Sequence, residues 1–67
     1  MTYENIELLR KKHQMTQQEV ADVLGCKREV YRRYEKGTRE MPANMVIKLA
    51  KYYLVTTDYL LGQEQIL

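Results

Sequence analysis

Sixty-seven residues make one small domain at most, and a chain this short hides only about 60% of its unfolded surface on folding, which excludes a catalytic cleft between lobes. Eleven Lys plus Arg against nine Asp plus Glu leave a net charge of +2, and 45% apolar with 30% charged residues describe a compact soluble chain, not a disordered tail. Apolar stretches far shorter than a bilayer span, no secretion-signal layout over Met1 to Arg10, one cysteine (Cys26) and one histidine (His13) exclude a membrane anchor, an internal disulfide and the usual zinc spacings, so a cytoplasmic, noncovalently packed domain with no metal or cofactor is expected.

Ile6 and Leu9, flanked by Tyr3 and His13, recur at spacings of three and four, which predicts an amphipathic helix over residues 3–13. Glu4 and Glu7 lie near its positive end, and Arg10, Lys11 and Lys12 fall in the last turn, as the helix dipole favours. The next helix starts with a capping box. The Thr16 hydroxyl accepts from the Glu19 N–H, the Glu19 carboxylate accepts from the Thr16 N–H, and Met15 packs on Val20 across the cap. This second helix buries Val20, Ala21, Val23 and Leu24 and ends at Gly25. A third, from Arg28 to Lys36, buries Tyr31 and Tyr34 and stops at Gly37. Pro42, with no N–H to offer, opens a fourth through Val46, Leu49, Ala50 and Tyr53. Thr56 caps a short fifth, with Asp58 in its first turn and Gly62 after Leu60 and Leu61. No strand-length alternation interrupts this series, so the fold class is all-α with short connections.

The small net charge conceals an uneven distribution. Residues 1–26 sum to −1 and residues 40–67 to −1, whereas residues 27–39 hold Lys27, Arg28, Arg32, Arg33, Lys36 and Arg39 against Glu29 and Glu35, a sum of +4. Such a segment is either a solvated helix face or a surface that faces phosphates, because a local positive field favours approach to a polyanion whatever the total charge. Two helices joined by about three residues around Gly25, the second of them cationic, form the arrangement that enters a DNA major groove.

From Ile6 to Gly62 the chain resembles the helix-turn-helix family of phage repressors, Cro proteins and XRE-type bacterial transcriptional regulators. The residues that carry the resemblance are Met15-Thr16-Gln17-Gln18-Glu19-Val20-Ala21, Gly25, Arg33-Tyr34-Glu35-Lys36-Gly37, Arg39-Glu40 and Asp58-Tyr59-Leu60-Leu61-Gly62. The resemblance implies a compact five-helix, lambda-repressor-like DNA-binding domain over residues 1–62, followed by a short tail over residues 63–67. It implies base contacts by Arg28, Glu29, Arg32 and Arg33. Arginine grips guanine O6 and N7 and glutamate accepts from cytosine N4. It assigns phosphate contacts to Gln17, Lys27, Lys36 and Arg39, with Thr16 adding its hydroxyl beside its capping role. Glu29 has two readings, a base reader or a carboxylate that offsets the helix dipole and pairs with Arg32 or Arg33. Arg10 and Glu35 match an ion pair joining the first and third helices, structural in role. Tyr31, Tyr34 and Cys26 read as core.

Some positions depart from the family's pattern. Lys27 stands where a Ser or Thr cap is usual and has no acceptor to offer. Gln14 and Leu54 occupy helix ends often held by Gly or Asn, and the Tyr31 hydroxyl needs a partner. The expected function is a sequence-specific regulator, a small repressor or Cro-like protein, binding a palindromic double-stranded operator as a homodimer in the bacterial cytoplasm at the nucleoid. One recognition helix covers few base pairs, and two copies about 34 Å apart double the readout. Leu54, Val55, Tyr59, Leu60, Ile66 and Leu67 are the dimer candidates, the alternative being a tail docked on its own domain or frayed. The competing function is an antitoxin or adaptor whose helices bind a protein partner. No catalytic constellation can be assembled from one His, one Cys and three separated glycines, so an enzyme is not expected. The leading reading requires the arginines of residues 27–39 to be free of their own chain's carboxylates.

Overall fold

A computed structural model describes residues 3–62 of the chain. Among these residues it contains five helices and no strand: α1 (Glu4–Lys12), α2 (Gln17–Leu24), α3 (Arg28–Lys36), α4 (Ala43–Tyr53) and α5 (Thr57–Leu60). None is long and apolar enough to cross a membrane. The helix boundaries follow their local chemistry closely. Thr16 accepts from the Glu19 N–H at 3.1 Å and its own N–H donates to Glu19 at 2.8 Å, so both halves of the capping box are formed. Thr56 caps α5 through the Tyr59 N–H. Lys27, at the N-cap of α3, makes no side-chain cap, which leaves Glu29 to face the positive end of that helix.

Four of the helix ends close in one way, with an N–H reaching back five residues across a left-handed residue. Met15 bonds to Arg10, Cys26 to Ala21, Thr38 to Arg33 and Val55 to Ala50. Gly25 and Gly37 supply the left-handed backbone without cost, whereas Gln14 (φ 56°) and Leu54 (φ 58°) adopt it with a side chain present. The strain expected at Gln14 and Leu54 is therefore real. It is tolerated because each turn redirects the chain onto the core within a few residues.

The core is a single cluster drawn from every helix. Ile6 and Leu9 of α1, Val20, Ala21 and Leu24 of α2, Tyr31 and Tyr34 of α3, Val46, Leu49, Ala50 and Tyr53 of α4, and Leu60 of α5 are buried, together with Tyr3 and Met41 from flanking segments. Two long-range hydrogen bonds tie the start of α1 to the segment before α4 and to α5. The Tyr3 hydroxyl accepts from the buried Met41 N–H at 3.0 Å, and the Asn5 amide donates to the Tyr59 carbonyl. Three expectations need correction. Val23 is only half-buried and lies outside the core, because Val20, Ala21 and Leu24 already fill the inward arc of a two-turn helix. His13 lies beyond the end of α1 and is exposed, its ring 5.1 Å from that of Tyr53. Cys26 is half-buried against the core, not enclosed by it.

Leu54 combines a left-handed backbone with 90% exposure, so its side chain adds strain and little burial. Replacing it with glycine relieves the steric cost and raises unfolded-chain entropy, a balance expected to stabilise the domain by about 0.5–1 kcal/mol. A urea titration at neutral pH checks this: Leu54→Gly should move the midpoint upward with an unchanged slope.

Candidate nucleic-acid interface

Helix α3 has two faces with opposite duties. Tyr31, Tyr34 and Glu35 point inward and are buried, while Arg28, Glu29, Arg33 and Lys36 are exposed and Arg32 is half-exposed. The packing of α3 on α2 and α1 holds that outer face in place. The three residues Gly25, Cys26 and Lys27 join α2 to α3 through one left-handed position, and Lys27 is exposed at the junction.

Beneath this face lies a buried carboxylate. Glu35 accepts from Arg10 Nε at 2.6 Å and Arg10 Nη2 at 3.2 Å, so the pair is a two-pronged fork between α1 and α3. The third guanidinium nitrogen, Nη1, donates to the Met15 carbonyl at 3.0 Å, just ahead of the α2 cap. Gln17 Nε2 donates to the same carboxylate at 3.0 Å. Glu35 thus joins α1, α2 and α3 at one point. Burial pushes its pKa up, but hydrogen bonds from Arg10, Tyr31 and Gln17 together outweigh that effect, and the carboxyl is held below its ordinary value. The hydrogen bond to Glu35 in turn raises the pKa of Arg10.

Two tyrosine hydroxyls lie buried in this region without a well-formed protein hydrogen bond. The Tyr31 hydroxyl faces Glu35 closely enough to help hold that carboxylate ionised, although its geometry falls short of a regular bond. Burial first, then Glu35, pushes the Tyr31 phenol far above its usual range. Burial, followed by Tyr52, pushes Tyr53 up to about 12. Both shifts favour the neutral phenol.

The interface candidates stand as follows. Gln17 opens α2, where the N–H groups of the first turn precede any intrahelical acceptor; one N–H of its amide is committed to Glu35 and the second is not. Thr16 is exposed, with its hydroxyl in the capping box. Lys27, Lys36 and Arg39 are exposed. Arg39 reaches the neighbourhood of Cys26: burial raises the pKa of that thiol, and the guanidinium opposes the shift. Arg39 thus acts electrostatically on the α2–α3 turn, where Lys27 also stands exposed.

The arginines of α3 are not all free: the requirement drawn from the sequence is met by Arg28 and not by Arg32 and Arg33. Arg32 forks onto Glu29, with Nη2 at 2.6 Å from Oε1 and Nε at 3.0 Å from Oε2, and Arg33 Nε stands 3.6 Å from Glu29 Oε1. Residues three and four apart on a helix are neighbours, so one carboxylate reaches both. The hydrogen bond from Arg32 is the main cause of a lowered Glu29 pKa, with Arg33 and Arg28 adding to it. These groups lie in solvent, where an ion pair adds little net stability and is screened by salt. They occupy the arginines without locking them.

Among the dimer candidates, Leu54 is exposed and Val55 and Tyr59 are half-buried against the core. Leu60 is 1% exposed and unavailable to a partner, because its position in α5 points it into the core. Ile66 and Leu67 lie outside the described residues. Two features had no signal in sequence. The Gln17–Glu35 bond spans eighteen residues, and the Arg10–Met15 bond needs the left-handed turn at Gln14.

Comparison with known proteins decides the family. A helix-turn-helix family model matches residues 6–60, most of the chain. The chain belongs to the XRE-type helix-turn-helix family. Among its relatives, the uncharacterised HTH-type transcriptional regulator YqaE of Bacillus subtilis is 41% identical over 64 residues, covering 96% of this chain and 55% of that protein. The cryptic phage CTXphi transcriptional repressor RstR of Vibrio cholerae is 37% identical over 57 residues, covering 85% and 51%. Antitoxin PezA of Streptococcus pneumoniae is 31% identical over 67 residues, covering 100% and 42%. The chain thus spans about half the length of the curated relatives it matches. The crystal structure of a transcriptional regulator from Listeria innocua superposes with a TM-score of 0.88 at 26% identity, over 97% of this chain and 61% of that one. The family is one of transcriptional regulators, and the five-helix fold is its fold.

The lowered pKa of Glu35 gives a pH signature. A carboxyl depressed in the folded state contributes stability that is complete above the unfolded value near 4.5 and is lost as pH falls through the folded value. Removing one partner of such a buried pair costs about 3–5 kcal/mol. Glu35→Gln should therefore lower the thermal midpoint strongly at pH 7, and its deficit against the parent should shrink as pH falls below about 4.5. Scanning calorimetry between pH 7 and pH 3 checks both the size and the convergence.

Proposed function

We propose that this chain is a sequence-specific, double-stranded DNA-binding transcriptional regulator of the repressor or Cro-like kind, acting as a homodimer on a palindromic operator at the bacterial nucleoid. The observation that carries the reading is the outer face of α3, where Arg28, Arg32, Arg33 and Lys36 stand clear of the core on a helix held against α2. Arg28 and Arg33 are the first base readers, Arg32 and Glu29 their partners, since bidentate contacts of arginine with guanine and of glutamate with cytosine distinguish base pairs in the major groove. Gln17, Lys27, Lys36 and Arg39, with Thr16, hold phosphates and set the register. Arg10 and Glu35 contribute from beneath, by holding α2 and α3 in one relative placement.

The likeness to RstR, a transcriptional repressor, favours repression. Dimerisation rests on geometry: two α3 helices one DNA turn apart read twice the sequence. Leu54, with Val55 and Tyr59 beside it and Ile66 and Leu67 in the tail at residues 63–67, remains the surface proposed for it. The likeness to antitoxin PezA favours a second reading, in which a protein partner is the main ligand.

Selection of duplexes from a random pool, followed by titration at rising salt, separates the two. A regulator yields a two-fold symmetric consensus and an affinity that falls steeply with salt, with a log–log slope of about −0.9 per phosphate neutralised. An affinity for duplex that does not respond to salt, with no consensus, leaves the partner-only reading. Within the regulator reading, Arg33→Ala should reduce discrimination among operator variants by about 1–3 kcal/mol while sparing weak general binding. Lys36→Ala and Arg39→Ala should weaken binding to all duplexes alike, each making the salt slope shallower by about 0.9. An unchanged preference in Arg33→Ala would remove that residue from the base readers.

A further inference from the structure

The recognition face carries its own competitor for DNA. Glu29 lies on the exposed side of α3 within reach of two arginines, with both its oxygens on Arg32 and one of them shared with Arg33. Oε2 takes Arg32 Nε, while Oε1 takes Arg32 Nη2 and stands 3.6 Å from Arg33 Nε. A guanidinium fork closed on a carboxylate presents the same donors that it would present to a phosphate or to a guanine edge. Arg32 cannot keep both its Nε and its Nη2 on Glu29 and use them on DNA. Arg28, Lys27, Lys36 and Arg39 make no ion pair with a carboxylate among the described residues, so the restraint falls on the two central arginines alone.

We propose that Glu29 is a specificity-determining residue that acts before binding, by holding Arg32 and Arg33 in an internal ion network that a random duplex must break without offering the carboxylate a new partner. On a matching duplex the freed carboxylate meets a cytosine amino group, which replaces the lost arginine contacts, while the arginines take guanine edges. On a random duplex the arginines gain phosphates, but Glu29 is left facing a polyanion with no donor. The network therefore lowers affinity for non-target DNA more than for target DNA. It rests on the DNA-binding reading of α3 given above, and deepens it by assigning the penalty to one side chain.

The test uses the full chain and two labelled duplexes, the consensus from the random-pool selection and a scrambled one of equal length and composition. In Glu29→Ala the affinity for the scrambled duplex should rise about three- to tenfold at moderate salt, and its salt slope should steepen by about one counterion as Arg32 is released. Affinity for the consensus should stay level or fall, so the ratio between the two collapses. Glu29→Gln, which keeps the length and loses the charge, should behave as Glu29→Ala on the scrambled duplex. In an Arg32→Ala background the effect of Glu29→Ala on the scrambled duplex should shrink, since the fork it would release is already gone. Circular dichroism confirms that each variant is folded. Equal rises on both duplexes, no rise on the scrambled one, or an undiminished effect in the Arg32→Ala background would overturn the inference and leave α3 as a DNA-reading helix. A parent protein that binds neither duplex would instead overturn the DNA-binding reading, and the inference with it.

Discussion

The fold of this domain is organised around a charge that is out of water. Glu35 sits among tyrosines and receives two prongs from Arg10 and one from Gln17, so a single carboxylate fixes the mutual placement of α1, α2 and α3. Ionic pairs in low-dielectric surroundings return little net stability over a well-packed apolar alternative. Their value here is directional. Leu and Val side chains would permit α2 to slide or rotate against α3 by small steps, whereas the 3.0 Å Gln17 bond across α2 and α3, set beside the Arg10 fork across α1 and α3, tolerates little displacement before it leaves a buried charge short of a partner. Helix-turn-helix recognition depends on that angle, because α2 and α3 must meet one duplex together.

The same helix presents a second glutamate with the opposite environment. Glu35 follows Tyr34 on the inward side, where water is excluded and the ion pair is obligatory. Glu29 lies on the outward side, where its partners are held loosely and salt competes for them. The inner pair sets geometry and is expected to persist on binding. The outer network sets how readily the arginines are given up, and is exchangeable for that reason. A helix of nine residues thus separates rigidity from selectivity by which side each carboxylate occupies.

Much of this was legible from residue order, because the relevant signals are local. Thr16 and Glu19, Gly25, Gly37, Pro42 and Thr56 act within four residues of where they stand, and the helix limits follow them closely. The inward positions of α3 follow from its spacing of tyrosines. Where reading failed, the deciding contact was remote or a matter of rotamer. Val23 and Leu60 both belong to apolar runs, and only the packing of neighbouring helices selects Leu60 for the core and leaves Val23 at its edge. That Glu29 takes both Arg32 and Arg33 was one of two open alternatives at the level of sequence, since an exposed fork depends on side-chain torsions that no pattern records. Gln17 reads as a phosphate anchor from its place at a helix start, yet its amide is partly spent inside the protein, on a residue eighteen positions away.

A net charge of +2 would be weak grounds for attraction to a polyanion if it were spread evenly. It is concentrated in one segment instead. Residues 27–39 sum to +4 between segments that each sum to −1, and Arg39, beyond α3, acts electrostatically on the Cys26 thiol at the α2–α3 turn. Concentration raises affinity for every phosphate backbone alike, which is a liability for a protein that must leave most DNA unoccupied. Glu29 moderates that field at its centre and the apolar core cannot, because only a group on the outer face of α3 meets the same ligand as the arginines it restrains.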